Sequence, residues 1–225
     1  MTISFSAQLA GDTAAEREAF MAIPLVHHAV AHGVDQALYL DFLASAYHHV
    51  RHTCPLLGLA LSRCGMDDGA YRAALLAYLD EEKGHEEWIL DDIDALGGNR
   101  DAVRAAQPPF PVRMMVAYAN FAVERISPYA LLGMVHVLEG LSVALARAAA
   151  AAIMDRLGRR PGPNATAAGF SYLTSHGHLD EEHVAMFAAL LDRIDSPDRR
   201  RLVIEAAKDF YRLYGDIFRE LTRDS

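Results

Sequence analysis

The segment Ser175-His176-Gly177-His178-Leu179-Asp180-Glu181-Glu182-His183 sets His176, Asp180 and His183 at i, i+4 and i+7. At about 100° per residue, a helix brings Asp180 and His183 within roughly 40° of His176, so two imidazoles and a carboxylate share one face. His178, two positions after His176, points elsewhere. Polar groups turned together into an apolar bundle cost free energy unless they are partnered, and this nitrogen and oxygen set suits a first-row metal ion, iron foremost. The competing structural reading is a solvated acidic face, since Glu181 and Glu182 continue the charge.

Two other segments offer further ligands. Glu82 and His85 form an E-x-x-H pair, and residues three apart on a continuous helix are neighbours that can reach one ion. Such a pair also arises by chance on acidic surface helices. Glu139 stands in Val135-His136-Val137-Leu138-Glu139-Gly140-Leu141, an apolar setting in which a solvated glutamate is not expected. Its competing reading is a core carboxylate hydrogen-bonded to His136 or to a tyrosine. Together these segments give three carboxylates (Glu82, Glu139, Asp180) and three imidazoles (His85, His176, His183) with no thiolate. That donor set fits two ferrous ions or manganese better than structural zinc, which normally draws on sulfur.

The elements that must position these residues read as helices almost throughout: alanine and leucine dominate, β-branched runs are scarce, and Gly, Pro, Asp and Asn punctuate. The pattern predicts an all-α chain with helices at about 12–32, 35–65, 68–97, 111–125, 127–158, 164–193 and 197–223. Asp35 is the expected N-cap of the second, Gly97-Gly98-Asn99 ends the third, and Asn164 is the expected cap of the ligand-bearing sixth. The proline-rich stretch from Ala105 to Pro111 joins two halves of one bundle, because neither half offers enough faces to bury. Residues 1–225 are therefore expected to form a single domain.

Composition narrows the function classes. Of 225 residues, 52% are hydrophobic, enough for a large core, and the formal net charge of −9 opposes binding to nucleic acid or to an anionic membrane surface. The two cysteines, Cys54 and Cys64, make neither a disulfide framework nor a Cys-rich metal site, which fits a reducing cytoplasm. No basic segment leads an apolar run at the N-terminus, and no stretch reaches roughly 18 uninterrupted apolar residues, so a soluble, unprocessed chain is expected. Among other polar residues, Tyr172 lies one turn before His176 and can donate into the site. His48, His49 and His52 form a cluster in which one imidazole can orient substrate or a carboxylate, and Arg51 can meet a substrate carboxylate. The plainer reading is histidines packed against acidic neighbours. His27, His28 and His32 read as a polar stripe. Phe121, Leu131, Met134 and Phe170 are candidate linings for an apolar pocket, although any bundle core has that composition.

The order E-x-x-H, then a lone Glu in a Val-Leu-Glu-Gly context 54 residues after His85, then H-x-x-x-D-x-x-H, resembles the heme-oxygenase-like di-iron oxidases and oxygenases. The resemblance spans about Pro24 to Leu221. It implies a seven-helix heme-oxygenase-like bundle, two Fe(II) ions per chain or a Mn/Fe pair, dioxygen as co-substrate, a homodimer and an external electron donor. The substrate it implies is a small organic molecule: a fatty acid, an amino acid or a similar metabolite. His85, Glu139, His176, Asp180 and His183 take the family's ligand positions. The first carboxylate is Glu82 where members place it three residues before the histidine, and Tyr78 stands where others place it seven before; Glu81 is a second candidate. Tyr78, Tyr172, His136 and His52 are then supporting or substrate-facing residues. Within the same fold, TenA-type thiaminases need a cysteine nucleophile in the second half of the bundle, which this chain lacks. Quinone-synthase-like oxidases work without metal and have little need for the H-x-x-x-D-x-x-H face. Heme oxygenases need a proximal histidine, which His27 or His28 could imitate. Ferritin-like storage requires two E-x-x-H pairs.

Overall fold

The computed structural model describes residues 3–160 and 167–221, with the side chains of residues 176–182 outside the described set. Twelve α-helices are found among the described residues: α1 (Phe5–Asp12), α2 (Ala14–Met21), α3 (Pro24–His32), α4 (Gln36–Val50), α5 (Thr53–Arg63), α6 (Gly69–Glu82), α7 (His85–Ala95), α8 (Arg100–Ala105), α9 (Phe110–Phe121), α10 (Ala130–Arg156), α11 (Ser171–Leu191) and α12 (Pro197–Glu220). A π-helical turn, Ala122–Ile126, follows α9. The class is the expected one, but the seven helices are subdivided, and local chemistry explains where.

Pro24 begins α3 at a first-turn position, where its missing N–H costs nothing, and so separates α3 from α2. Between α4 and α5 the break falls at Arg51 and His52, because the ring of Pro55 would clash with the carbonyl of Arg51 in a continuous helix. Ser127 is extended ahead of Pro128, which ends the π turn, and its N–H bonds back to the Ala122 carbonyl at 2.9 Å. Between α6 and α7, Gly84 adopts φ +88° with nothing within 4 Å of where a Cβ would stand, so the left-handed turn itself requires glycine.

Asp35 caps α4 as expected, accepting from the Leu38 N–H at 2.9 Å. α11 departs from expectation: it starts at Ser171 rather than near Asn164, and Asn164 lies outside the described residues. Its first turn is capped from another helix. Asp92 of α7 accepts from the N–H groups of Ser171 (2.9 Å) and Tyr172 (2.8 Å) and from the Ser171 hydroxyl (2.7 Å).

α10 is the central strut, packed on α3, α11 and α12. At Gly133 a Cβ would stand 2.7 Å from the Ala207 nitrogen and 2.8 Å from the Val203 carbonyl, so α10 and α12 cross backbone to backbone. By length and composition α10 is apolar enough to cross a membrane, with a mean hydropathy of 1.6. Its inward face carries the buried Glu139.

Candidate metal centre

Four helices converge on one buried polar cluster. Glu82, the last residue of α6, and His85, the first of α7, are 4% and 3% exposed. Glu139 comes from the middle of α10 and His183 from α11, and both are buried. One potential ligand atom from each of Glu82, Glu139 and His183 lies within 4.8 Å of the others, the arrangement a single cation can bridge. Glu82 and His85 meet by a different route from the one their spacing suggests. They lie on either side of the Gly84 turn, and that turn, rather than continuous helical periodicity, brings His85 Nδ1 to 3.3 Å from Glu82 Oε2.

The two faces of the His183 ring have separate partners. Nδ1 faces Glu139 Oε2 at 3.5 Å and Glu82 Oε1 at 4.0 Å, while Nε2 lies 2.7 Å from Glu81 Oε2. Burial alone would lower the His183 pKa, but the hydrogen bond and charge of Glu139, the hydrogen bond of Glu81 and the charge of Glu82 push it up to about 9. The imidazole therefore carries a proton at neutral pH, and that proton supplies positive charge to the carboxylates around it. Glu81 reaches this ring from the exposed rim, whereas Glu82 is buried beneath it.

Tyr78 of α6 is buried, and its hydroxyl donates a short hydrogen bond to Glu139 Oε1. Its ring stands edge-on to His183, with centroids 4.8 Å apart, and to Phe187 at 4.9 Å. His85 stacks on Trp88 at 4.1 Å. The donors are carboxylate oxygens and imidazole nitrogens without sulfur, and Glu82 Oε1 is buried with no hydrogen bond among the described residues. A divalent cation fits this set: it would satisfy that oxygen and replace the His183 proton as counter-charge.

His176 and Asp180 belong to α11, but their side chains, like that of His178, lie outside the described residues. His136 is placed elsewhere: its Nε2 is 3.4 Å from Thr13 Oγ1 and its ring stands edge-on to Tyr211, so the tyrosine partner of Glu139 is the one found. Burial, with a smaller contribution from Arg17, lowers the His136 pKa to about 4. Tyr172 lines the cavity beside the cluster. His48 is buried and His52 partly so; burial lowers both pKa values, and Arg51 lowers them further, so their charged neighbour is a cation and not the expected acid. Arg51 is exposed over the Tyr47 ring at 5.6 Å, away from the cavity that His49 lines.

That cavity, about 170 Å³, touches Glu82, Glu139, Tyr78 and Tyr172, and the rest of its wall is mostly apolar, with His49, Thr53 and Ser142 among the exceptions. Leu131 and Met134 line it as expected. Phe121 does not, being 54% exposed, and Phe170 is instead buried in a stack on Tyr39 at 5.0 Å. α3 contributes Val26 and Ala29 while His27 and His28 are exposed, so neither histidine enters the cavity as a heme ligand would. Burial raises both cysteine pKa values, the opposite of an activated thiolate nucleophile. Asp92, which positions the start of α11, went unread in the sequence, because a cap supplied from 79 residues away leaves no local spacing signal.

The family model described as iron-containing redox enzyme, Haem_oxygenas_2, matches residues 40–215. The chain belongs to this family. The matched span contains Glu82, His85, Glu139 and His183 together with His176 and Asp180. Among curated proteins none matches. Solved structures share the fold at low identity. A domain of unknown function with a heme oxygenase-like fold from Shewanella denitrificans is 18% identical with a TM-score of 0.86, covering 100% of this chain and 94% of that one. A TenA homolog from Pseudomonas syringae pv. tomato is 10% identical with a TM-score of 0.78, covering 97% and 93%. Heme oxygenase-1 from Synechocystis in complex with heme is 10% identical with a TM-score of 0.74, covering 99% and 94%. The family member described here thus has the heme-oxygenase-like fold.

Proposed function

We propose that the protein is a non-heme iron oxidoreductase that holds two ferrous ions per chain and uses dioxygen to oxidise a small organic substrate. The observation that carries this reading is the buried Glu82, Glu139 and His183 cluster inside a family of iron-containing redox enzymes. Glu82, His85, Glu139 and His183 would hold metal, with His176 and Asp180 completing the set from α11. Iron supplies the reducing electrons for dioxygen when bound, and manganese can replace one ion without changing the donor logic.

The chain's own residues shape that chemistry. Glu81 accepts the Nε2 proton of His183, which fixes the tautomer and turns Nδ1 toward Glu82 and Glu139; this is the carboxylate and histidine pairing that raises ligand basicity. Tyr78 occupies Glu139 Oε1, leaving Oε2 directed at His183 Nδ1, where it would be available to hold a metal ion. The apolar cavity admits substrate beside these ligands and limits water. Repeated turnover calls for an external electron donor, and a homodimer is the assembly we propose.

The test is to add ferrous iron to the anaerobic metal-free protein, measure bound metal per chain, then admit oxygen while recording the visible spectrum. Two irons per chain and an oxygen-dependent visible band are expected. His183→Ala should lose iron with its helix content intact, and stoichiometric iron retained in that variant refutes the assignment.

A further inference from the structure

The outer face of α3 carries a second set of donors, on a different helix from every member of the carboxylate cluster. His28 and His32 stand one turn apart, about 40° around the helix and ~6 Å along it, and both are exposed. Their ring centroids are 5.2 Å apart with the planes tilted by 53°, so the imidazoles are neighbours without lying face to face. The helix beneath them is firmly seated. Leu25 and Val26 are buried, Val26, Ala29 and Val30 line the cavity, and the Gly33 N–H closes the last turn on the Ala29 carbonyl at 3.1 Å. At Gly33, with φ +66°, a Cβ would stand 2.4 Å from the Ala152 carbonyl oxygen, so the end of α3 meets α10 backbone to backbone. The histidine pair therefore sits on a turn that tertiary packing keeps helical, whereas nine residues in isolation would not hold a helix.

We propose that His28 and His32 form a surface site for a late first-row divalent cation, of the zinc, nickel and copper class, and that the bound ion clips the last turn of α3. Imidazoles at i and i+4 reach one ion from the same helical face and leave its other positions to water. The helix Pro24–His32 contains no Asp, Glu or Cys, so it offers imidazole alone. Imidazole suits zinc, copper and nickel, whereas carboxylate suits magnesium and manganese, so this pair and the Glu82 and Glu139 cluster select different ions. Position adds to the preference: His32 lies in the last turn of α3, where the negative end of the helix dipole favours a cation. Because the two rings converge only while that turn is helical, the ion binds the folded chain in preference to the unfolded one and stabilises this wall of the cavity. The site stands independently of the iron chemistry proposed above.

The experiment titrates zinc chloride into tag-free, iron-loaded protein, reading affinity by calorimetry, bound zinc by elemental analysis and the thermal midpoint. One zinc per chain is expected that His28→Ala and His32→Ala each lose while keeping the iron content of the parent. His27→Ala, an equally exposed neighbour turned about 100° from His28, should keep it. At about a hundredfold excess over the dissociation constant, zinc should raise the parent midpoint by roughly 5–10 °C, and the rise should vanish in His28→Ala. Copper(II) in place of zinc should give an electron paramagnetic resonance spectrum with coupling to two imidazole nitrogens, reduced to one in either variant. In the His183→Ala background the same zinc should again disappear with His28→Ala, so failure of the iron reading leaves this test intact. Zinc retained in both variants, no zinc bound by the parent, or equal loss in His27→Ala, which would mean that ions collect on exposed histidines at large, overturns the site. Zinc bound at His28 and His32 without a rise in the midpoint overturns the clip.

Discussion

Replacing Asp92 by alanine removes the acceptor that starts α11, the helix carrying His183. The Asp92 carboxylate is 3% exposed and takes three hydrogen bonds of 2.7–2.9 Å from Ser171 and Tyr172. In the alanine variant two first-turn N–H groups lose their partner, and each such loss costs about 1–3 kcal/mol. A further 0.3–1 kcal/mol or so goes with the negative charge at the helix N-terminus. Part of this is offset, because burying the carboxyl is itself costly: desolvation raises the Asp92 pKa, against the bonds from Tyr172 and Ser171 that pull it down. The net expectation is about 3 kcal/mol of lost stability, equivalent to roughly 6–12 °C in the thermal midpoint for a chain of this size. Asp92→Asn keeps one acceptor oxygen and relieves the buried charge, so it should cost only about 1 kcal/mol. Urea unfolding of the three proteins measures both differences, with an unchanged denaturant slope showing that the same surface unfolds. Equal losses in the two variants, or a loss below about 1 kcal/mol for alanine, would refute the cross-helix cap.

Glu81→Gln should weaken iron binding about 10- to 100-fold without loss of helix, as read by competition with a chelator, since the ring keeps its ligand nitrogen and an acceptor oxygen but loses the carboxylate charge that raises its basicity. An unchanged affinity would remove Glu81 from the site. Gly84→Ala should cost roughly 1–2 kcal/mol through left-handed strain alone and should weaken iron binding by disturbing the turn between Glu82 and His85; unchanged values in both measurements would show that the turn tolerates a side chain. For His136, the folded pKa of about 4 lies below the ordinary 6.5, so between those values the unfolded chain binds the extra proton. Stability should therefore be fully present above about pH 6.5 and fall by up to ~3 kcal/mol as pH drops to 4. His136→Phe should flatten that acid limb, and a limb identical to that of the parent would show that another group produces it.

The helical class was legible because the apolar period of 3.6 persists over most of the chain. Breaks whose cause is local and strong were legible too, as at Asp35 and Ala105–Pro111. The subdivision of the long helices was encoded as well, in Pro55 and Gly84, but each acts several residues from where a periodic reading would place a boundary. Glu139 could be singled out because a carboxylate in an unbroken apolar run is anomalous by itself. Glu82 was found for a reason that does not apply, since helical spacing does not join it to His85. What remained invisible depends on distant partners: Asp92 on Ser171, Tyr78 on Glu139, and the division of the His183 ring between Glu81 on one edge and Glu82 with Glu139 on the other.

The polar cluster and the bundle are mutually dependent. Glu82, His85, Glu139 and His183 come from α6, α7, α10 and α11, so no single helix holds the site, and packing of all four creates it. Those helices in turn bury carboxylates that the apolar core around them would otherwise exclude. Without metal, the opposing charge comes from the His183 proton, and the Tyr78 hydroxyl satisfies one carboxylate oxygen. These contacts are weaker compensation than a divalent ion, which would bind several of the oxygens at once. The structure therefore favours a cation at this point both for its chemistry and for the stability of the four-helix junction.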